Sequence, residues 1–179
     1  RNRPDSPIVR AMRDHKDVGR RIGFALVDAM ADFHRVDPEL CDLGDLGRPD
    51  GFVERQVKGW KKRWDLVAAE AHDEAMCAVH RRLEASIPAA QRVAFVHNDL
   101  KLDNCMFDPS NPDRVIAIFD WDMTTLGDPL IDLGTLLNYW PEEGDPEGGR
   151  VGHDGMSRMG LPQRAELIAR YGERAGLGE

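Results

Sequence analysis

The chain has 179 residues, 41% hydrophobic and 31% charged, a balance that supports a real globular core. Its 24 Lys and Arg against 32 Asp and Glu give a net charge of −8, which argues against a nucleic-acid partner, because phosphate backbones are held mainly by Lys and Arg. No apolar run reaches the roughly 18–20 residues of a bilayer span, no signal-peptide pattern opens the chain, and Cys41, Cys77 and Cys105 form no CxxC pair; we expect a cytoplasmic protein with reduced thiols and no membrane partner.

Arg1 to Asp14 is polar, with Pro4 and Pro7, and reads as an irregular lead-in. Between Lys16 and Val36, Val18, Ile22, Leu26, Met30 and Phe33 recur every three to four residues, the buried stripe of an amphipathic helix that Pro38 stops. Residues 39–51, with Gly44, Gly47, Pro49 and Gly51, predict a loop. A second helix follows with Phe52, Val53, Val57, Trp60, Trp64 and Val67 on one side, and a third spans about Glu70 to Ser86. Trp60 and Trp64 at helical spacing are expected in the core. Lys61, Lys62, Arg81, Arg82, His15, His72, His80 and His153 are expected on solvated faces, the histidines having no metal-ligand spacing.

The character changes at Arg92. Val93-Ala94-Phe95-Val96 predicts a short strand that runs into the polar cluster His97 to Asn104. Cys105-Met106-Phe107, a turn over Asp108 to Asp113, and Val115 to Phe119 predict a β-hairpin, ended by Asp120-Trp121-Asp122. Asp128-Pro129 offers an N-cap followed by a helix-starting proline, and the helix behind it stops near Trp140-Pro141. Residues 141–160 are Gly-rich and acidic, a loop or mobile segment, and a last helix covers Gln163 to Arg174. There is no internal repeat.

If the hairpin turn centres near Pro112, Asn104 falls opposite Asp120. Directly opposed residues lie about 4.5–5.5 Å apart at Cα, so an amide oxygen and a carboxylate there can share one hard cation, as magnesium prefers. Asp99, in the loop leading to the same hairpin, is then a free carboxylate beside that site. Phosphoryl transfer needs this pairing: a cation to neutralise phosphate charge and a base for the attacking hydroxyl.

His97-Asn98-Asp99-Leu100-Lys101-Leu102-Asp103-Asn104 resembles the H-x-D-x-x-x-x-N catalytic loop of the protein-kinase-like fold. The stretch from His97 to Trp140 resembles the aminoglycoside phosphotransferase and choline kinase family. Ile118-Phe119-Asp120-Trp121 stands where that family has its metal-binding Asp, and Gly127-Asp128-Pro129 through Asp132-Leu133-Gly134 matches its next motif. The branch it most resembles is the one similar to the N-terminal phosphotransferase domains of certain acyl-CoA dehydrogenase family members, and Phe33-His34-Arg35-Val36-Asp37 also fits that family.

The resemblance implies an α+β fold: a mostly helical protein-kinase-like C-terminal lobe with a catalytic-loop β-hairpin. It implies an ATP- and magnesium-dependent phosphotransferase moving the γ-phosphate to a hydroxyl of a small molecule. Asp99 becomes the catalytic base or hydroxyl-orienting carboxylate, Asn104 and Asp120 the ligands of Mg2+ on the ATP phosphates, His97 a brace, and Asp132 a hydrogen-bond partner of the catalytic loop. Lys101 resembles the protein-kinase lysine that touches the transferred phosphate, with a solvent-exposed lysine as the other reading. Asp122 is either beside the metal or the start of a turn, and Asp103 a loop residue. No GxGxxG or Walker pattern occurs, and none of Lys16, Lys58, Lys61, Lys62 and Lys101 lies in a kinase-like strand. We therefore expect residues 1–179 to be a C-terminal lobe without its nucleotide lobe, incomplete at both ends, and weak at binding ATP alone.

Two other readings compete. Asp120-Trp121-Asp122-Met123-Thr124 fits the D-x-D-x-T signature of haloacid-dehalogenase-like phosphatases, with Asp120 as nucleophile, but no lysine follows Lys101 and the cluster from His97 to Asn104 stays unexplained. A non-catalytic, pseudokinase-like binding module would suit the missing lobe, yet the base and both metal ligands are intact. A protein kinase is disfavoured because no Ala-Pro-Glu follows Asp120. Aminoglycoside-like, choline-like and hydroxyacyl acceptors all remain open.

Overall fold

The computed structural model describes residues 12–68, 74–90, 92–145 and 159–176. In chain order these form α1 (Val18–His34), a 3-10 turn (Glu39–Cys41), α2 (Phe52–Val67), α3 (Glu74–Ala85), β1 (Ala94–Val96), a 3-10 turn (Leu102–Asn104), β2 (Cys105–Asp108), β3 (Asn111–Ile118), a 3-10 turn (Trp121–Met123), β4 (Thr125–Gly127), α4 (Leu130–Tyr139) and α5 (Arg164–Ala175). The lead-in before residue 12, the start of the expected third helix, most of segment 141–160, His72 and His153 lie outside the described residues. The arrangement is α+β, as expected, and among the described residues no helix is long and apolar enough to cross a membrane. Two compact units result: Arg1–Val36 with His97–Thr124 and Asp132–Glu179, and Asp37–Val96 with Thr125–Ile131.

The first unit is built on α1. Its apolar stripe buries Ile22, Leu26, Val27 and Met30, packing against α5 through Leu167 and Tyr171 and against β3. Two glycines permit a close approach on the same helix. A Cβ at Gly19 would lie 1.7 Å from the Met159 carbonyl oxygen, and one at Gly23 2.6 Å from Pro162 Cδ. The Trp140 indole N–H then donates to Pro162 O at 2.8 Å, and Arg164 closes the C-terminus of α4 by donating to the Leu137 and Trp140 carbonyls. Charged pairs flank the α1–α5 seam: Arg20 with Glu166, Arg170 with Asp28 and Arg174 with Asp32. Helix α5 opens with a capping box between Gln163 and Glu166 and ends at Gly176, whose φ of 68° only glycine adopts freely.

In the same unit, β2 and β3 form the expected hairpin, with one correction. The ladder runs Cys105↔Ile118, Met106↔Ala117, Phe107↔Val115 and Asp108↔Asn111, with register shifts on both sides of Phe107. These bulges tighten the turn to Pro109-Ser110, where Asp108 Oδ1 accepts from Ser110 N and Oγ. Extending the ladder places Asn104 opposite Phe119, whose N–H donates to Asn104 O at 2.8 Å, so the partner is Phe119 and not the expected Asp120, which stands one residue further on. His15, expected on a solvated face, bonds through Nε2 to Pro109 O at 3.0 Å.

The second unit holds α2, α3 and the antiparallel pair β1–β4, with Phe95 opposite Leu126. Its core is Phe52, Ala94, Phe95, Val96 and Leu126, and Gly127 lets the Phe52 ring lie against the strand, 2.9 Å from where a Cβ would sit. The tryptophan expectation fails here. Trp60 is 64% exposed, under the Arg63 guanidinium, and Trp64 is half-buried. Helix α2 buries only Phe52 and α3 none of its described residues. Helical periodicity reports that one face is apolar; here α2 and α3 pack chiefly on each other, and two helices alone cannot enclose both stripes.

Candidate active site

The loop after β1 holds its shape because one buried carboxylate collects its amides. Asp132, at the start of α4, is fully buried and accepts from the His97 N–H (2.7 Å, Oδ2) and the Asn98 N–H (2.7 Å, Oδ1). A third donor, His34 Nε2 at 3.0 Å, comes from the last turn of α1, and His34 Nδ1 in turn accepts from the Tyr171 hydroxyl of α5 at 2.8 Å. A buried carboxylate is tolerated only when its oxygens are satisfied, and this one is satisfied from three directions. The ladder Tyr171–His34–Asp132 thus ties the loop to both long helices of the unit.

His97 is held at both ring nitrogens. Its ring is fully buried; Nε2 donates to Phe119 O at 2.9 Å, and the Asp99 N–H meets Nδ1 at 3.3 Å. A carbonyl only accepts, so Nε2 carries the hydrogen and Nδ1 is the acceptor. Both nitrogens are committed, which leaves His97 no free edge for substrate. Its ring also lies 5.0 Å from that of Trp121, which packs edge-on to Phe33 at 5.2 Å.

Asp99 is partly exposed, with both oxygens gripped by Lys101 Nζ at 2.7 and 2.6 Å. That bond holds the Lys101 ammonium above its ordinary pKa, with burial acting against it. Lys101 Nζ also lies 5.2 Å over the Tyr139 ring, so the reading of a freely solvated lysine fails. Asn104 is buried and donates through Nδ2 to Asp99 O (2.8 Å) and Oδ2 (3.1 Å), which aims its amide nitrogen at Asp99 and turns Oδ1 away from it. Asp120 is exposed, lies two residues past the end of β3 with a left-handed φ of 66°, and opens the Trp121–Met123 turn. Asp103 and Asp122 are exposed too.

The structure therefore gathers His97, Asp99, Lys101, Asn104 and Asp132 by direct contact. It sets Asp120 between Phe119, bonded to His97, and Trp121, whose ring lies tilted against that of His97. Among the described residues no three His, Cys, Asp or Glu side chains cluster as a closed metal site. The Asn104 amide oxygen and the Asp120 carboxylate are instead a sparse set of hard oxygens, suited to magnesium, which keeps waters and takes phosphate oxygens. Sequence reasoning gave His34 no role. Its one signal was the fit of Phe33-His34-Arg35-Val36-Asp37 to the family, which named no partner for it.

The model of the phosphotransferase enzyme family matches residues 4–175. Acyl-CoA dehydrogenase family member 11 of Rattus norvegicus is 35% identical over 158 residues, covering 86% of this chain and 20% of that protein. Family member 10 of Mus musculus is 30% identical over 148 residues, covering 82% of this chain and 14% of that protein. A crystal structure from Ralstonia eutropha JMP134, provisionally assigned as an aminoglycoside phosphotransferase, superposes with a TM-score of 0.73 at 29% identity, covering 93% of this chain and 50% of that one. The chain thus spans a fifth or less of the curated relatives and half of the solved structure.

Proposed function

We propose that this chain, which belongs to the phosphotransferase enzyme family, forms the catalytic and acceptor-binding lobe of a cytoplasmic, ATP- and magnesium-dependent small-molecule kinase. The observation that supports this reading is the Asp99 carboxylate, fixed by Lys101 and Asn104, with Asp120 next along the chain from Phe119, whose N–H donates to Asn104 O.

The acceptor hydroxyl gives its proton to Asp99 as its oxygen bonds the γ-phosphorus. The bond from phosphorus to the β,γ-bridging oxygen breaks, and ADP leaves with that electron pair. Lys101 exchanges its grip on Asp99 for the transferred phosphoryl oxygens, so that the base is bared as charge arrives. Asn104 and Asp120 would hold Mg2+, which neutralises phosphate charge. Asp132 and His97 keep the loop rigid, and no covalent enzyme intermediate is needed. The partners are ATP and a hydroxyl-bearing small molecule, with no nucleic acid or membrane. Likeness to proteins named for acyl-CoA dehydrogenation favours a hydroxyacyl acceptor over choline-like or aminoglycoside-like ones. Family membership leaves the aspartyl-nucleophile reading of Asp120 without support.

The test uses the protein that carries this chain, incubated with Mg2+, γ-labelled ATP and a panel of hydroxyacyl compounds, choline and aminoglycosides. Label should move to one acceptor class, and Asp99→Asn should lower kcat by roughly 10²–10⁴-fold, with little change in ATP affinity. A near wild-type rate for Asp99→Asn would remove Asp99 as the base. Label retained on the protein at Asp120 would replace the mechanism with a covalent one.

A further inference from the structure

Asn98 is the residue between the brace and the base, and the mechanism above gives its side chain no task. Its φ is 64°, left-handed, a conformation that Asn tolerates better than most residues but glycine takes freely. Its Nδ2 donates to Met123 O at 2.8 Å. Met123 closes the turn that Asp120 opens, and the N–H of the next residue, Thr124, returns to Trp121 O at 2.9 Å.

Asp120 is therefore bracketed. On one side His97 Nε2 holds Phe119 O at 2.9 Å; on the other Asn98 Nδ2 holds Met123 O at 2.8 Å. Both clamps come from consecutive residues whose own N–H groups are locked on Asp132. Asp120 itself carries a left-handed backbone, and such strain persists only where surrounding contacts over-determine it.

We propose that Asn98 is a positioning residue: it holds the Asp120 turn in register with the Asp99 loop and so sets how tightly Asn104 and Asp120 take a divalent cation. This rests on the reading that Asn104 and Asp120 are the metal-holding pair. The nearest precedent in kind is the general one that groups orienting metal ligands change affinity by about 10–100-fold when removed.

Asn98→Gly is the discriminating variant, because glycine keeps the left-handed backbone without strain and deletes the side-chain clamp. The chain is titrated with Mn2+ alone, and occupancy is read from paramagnetic broadening of the Asn104 and Phe119–Trp121 amide signals. Hydrogen exchange of residues 119–124 is measured alongside. We expect Asn98→Gly to weaken Mn2+ binding by about tenfold and to speed exchange in 119–124, while exchange in α1 and α5 stays at the wild-type rate. Wild-type binding that persists undiminished in Asn98→Gly, or unchanged exchange in 119–124, overturns the role of Asn98 alone. A wild-type chain that takes up no Mn2+, or an Asp120→Asn variant that binds as well as wild type, overturns the metal-pair reading and this inference with it.

Discussion

Replacing Asp132 with asparagine changes almost no volume, yet it should cost more than most core truncations. Three donors converge on its two oxygens: the Asn98 N–H on Oδ1, and the His97 N–H and His34 Nε2 on Oδ2. An amide has one oxygen. If that oxygen takes the Oδ2 place, the NH2 faces the Asn98 N–H; if it takes the other, the NH2 faces two donors. The cheaper choice still leaves one buried N–H unpaired, at about 1–3 kcal/mol, and turns two charge-assisted bonds into neutral ones, at about 1 kcal/mol each. The sum is about 3–5 kcal/mol. For a domain of this size that lowers Tm by on the order of 10 °C. Thermal unfolding of Asp132→Asn measures the total, and hydrogen exchange at the Asn98 amide localises it. A Tm within about 2 °C of wild type, with that amide still protected, would refute the claim that Asp132 holds the loop.

Other consequences are open to test. Gly23→Ala drives a methyl against Pro162 Cδ (2.6 Å) and Trp140 Cζ2 (3.1 Å), so denaturant unfolding should show a loss of about 1–3 kcal/mol. Burial pushes the Cys105 thiol up to about 12, whereas Cys41 is exposed, so a limiting dose of iodoacetamide at neutral pH should modify Cys41 and spare Cys105, as peptide mass mapping will show. Hydrogen bonding from Arg174 holds the Asp32 carboxyl below its ordinary pKa. A lowered folded-state pKa stabilises above the unfolded value and is lost as pH falls through the folded one, so the α1–α5 seam should weaken below roughly pH 4. Arg174→Gln should flatten that acid limb by a modest amount, because the pair is solvent-exposed.

The chemistry-bearing stretch was the legible part, for a physical reason. Catalytic loops spend polar residues in a fixed local order, so His97, Asp99, Lys101, Asn104 and Asp120 stand out against apolar flanks. The hairpin was legible to within one residue; its miss came from the bulges around Phe107, which a count outward from Pro112 cannot anticipate. Trp60 misled because spacing reveals a helix face but not whether anything covers it. Asn98, His34 and Tyr171 were hidden for the opposite reason. The clamp from Asn98 spans 25 residues and the bond from His34 to Tyr171 spans 137, and local pattern carries no trace of either.

That last separation bears on how the protein is made. Synthesis delivers α1, with His34, long before it delivers the Asp132 carboxylate, and the Tyr171 hydroxyl emerges later still. Contacts so distant along the chain close slowly, because loop entropy is spent before the bond is gained. The hairpin after Asn104 closes over a two-residue turn, but the ladder that stiffens the Asp99 loop waits for α5. A nascent chain halted after α4 would therefore carry every residue of the proposed chemistry and still lack the support that holds them in place.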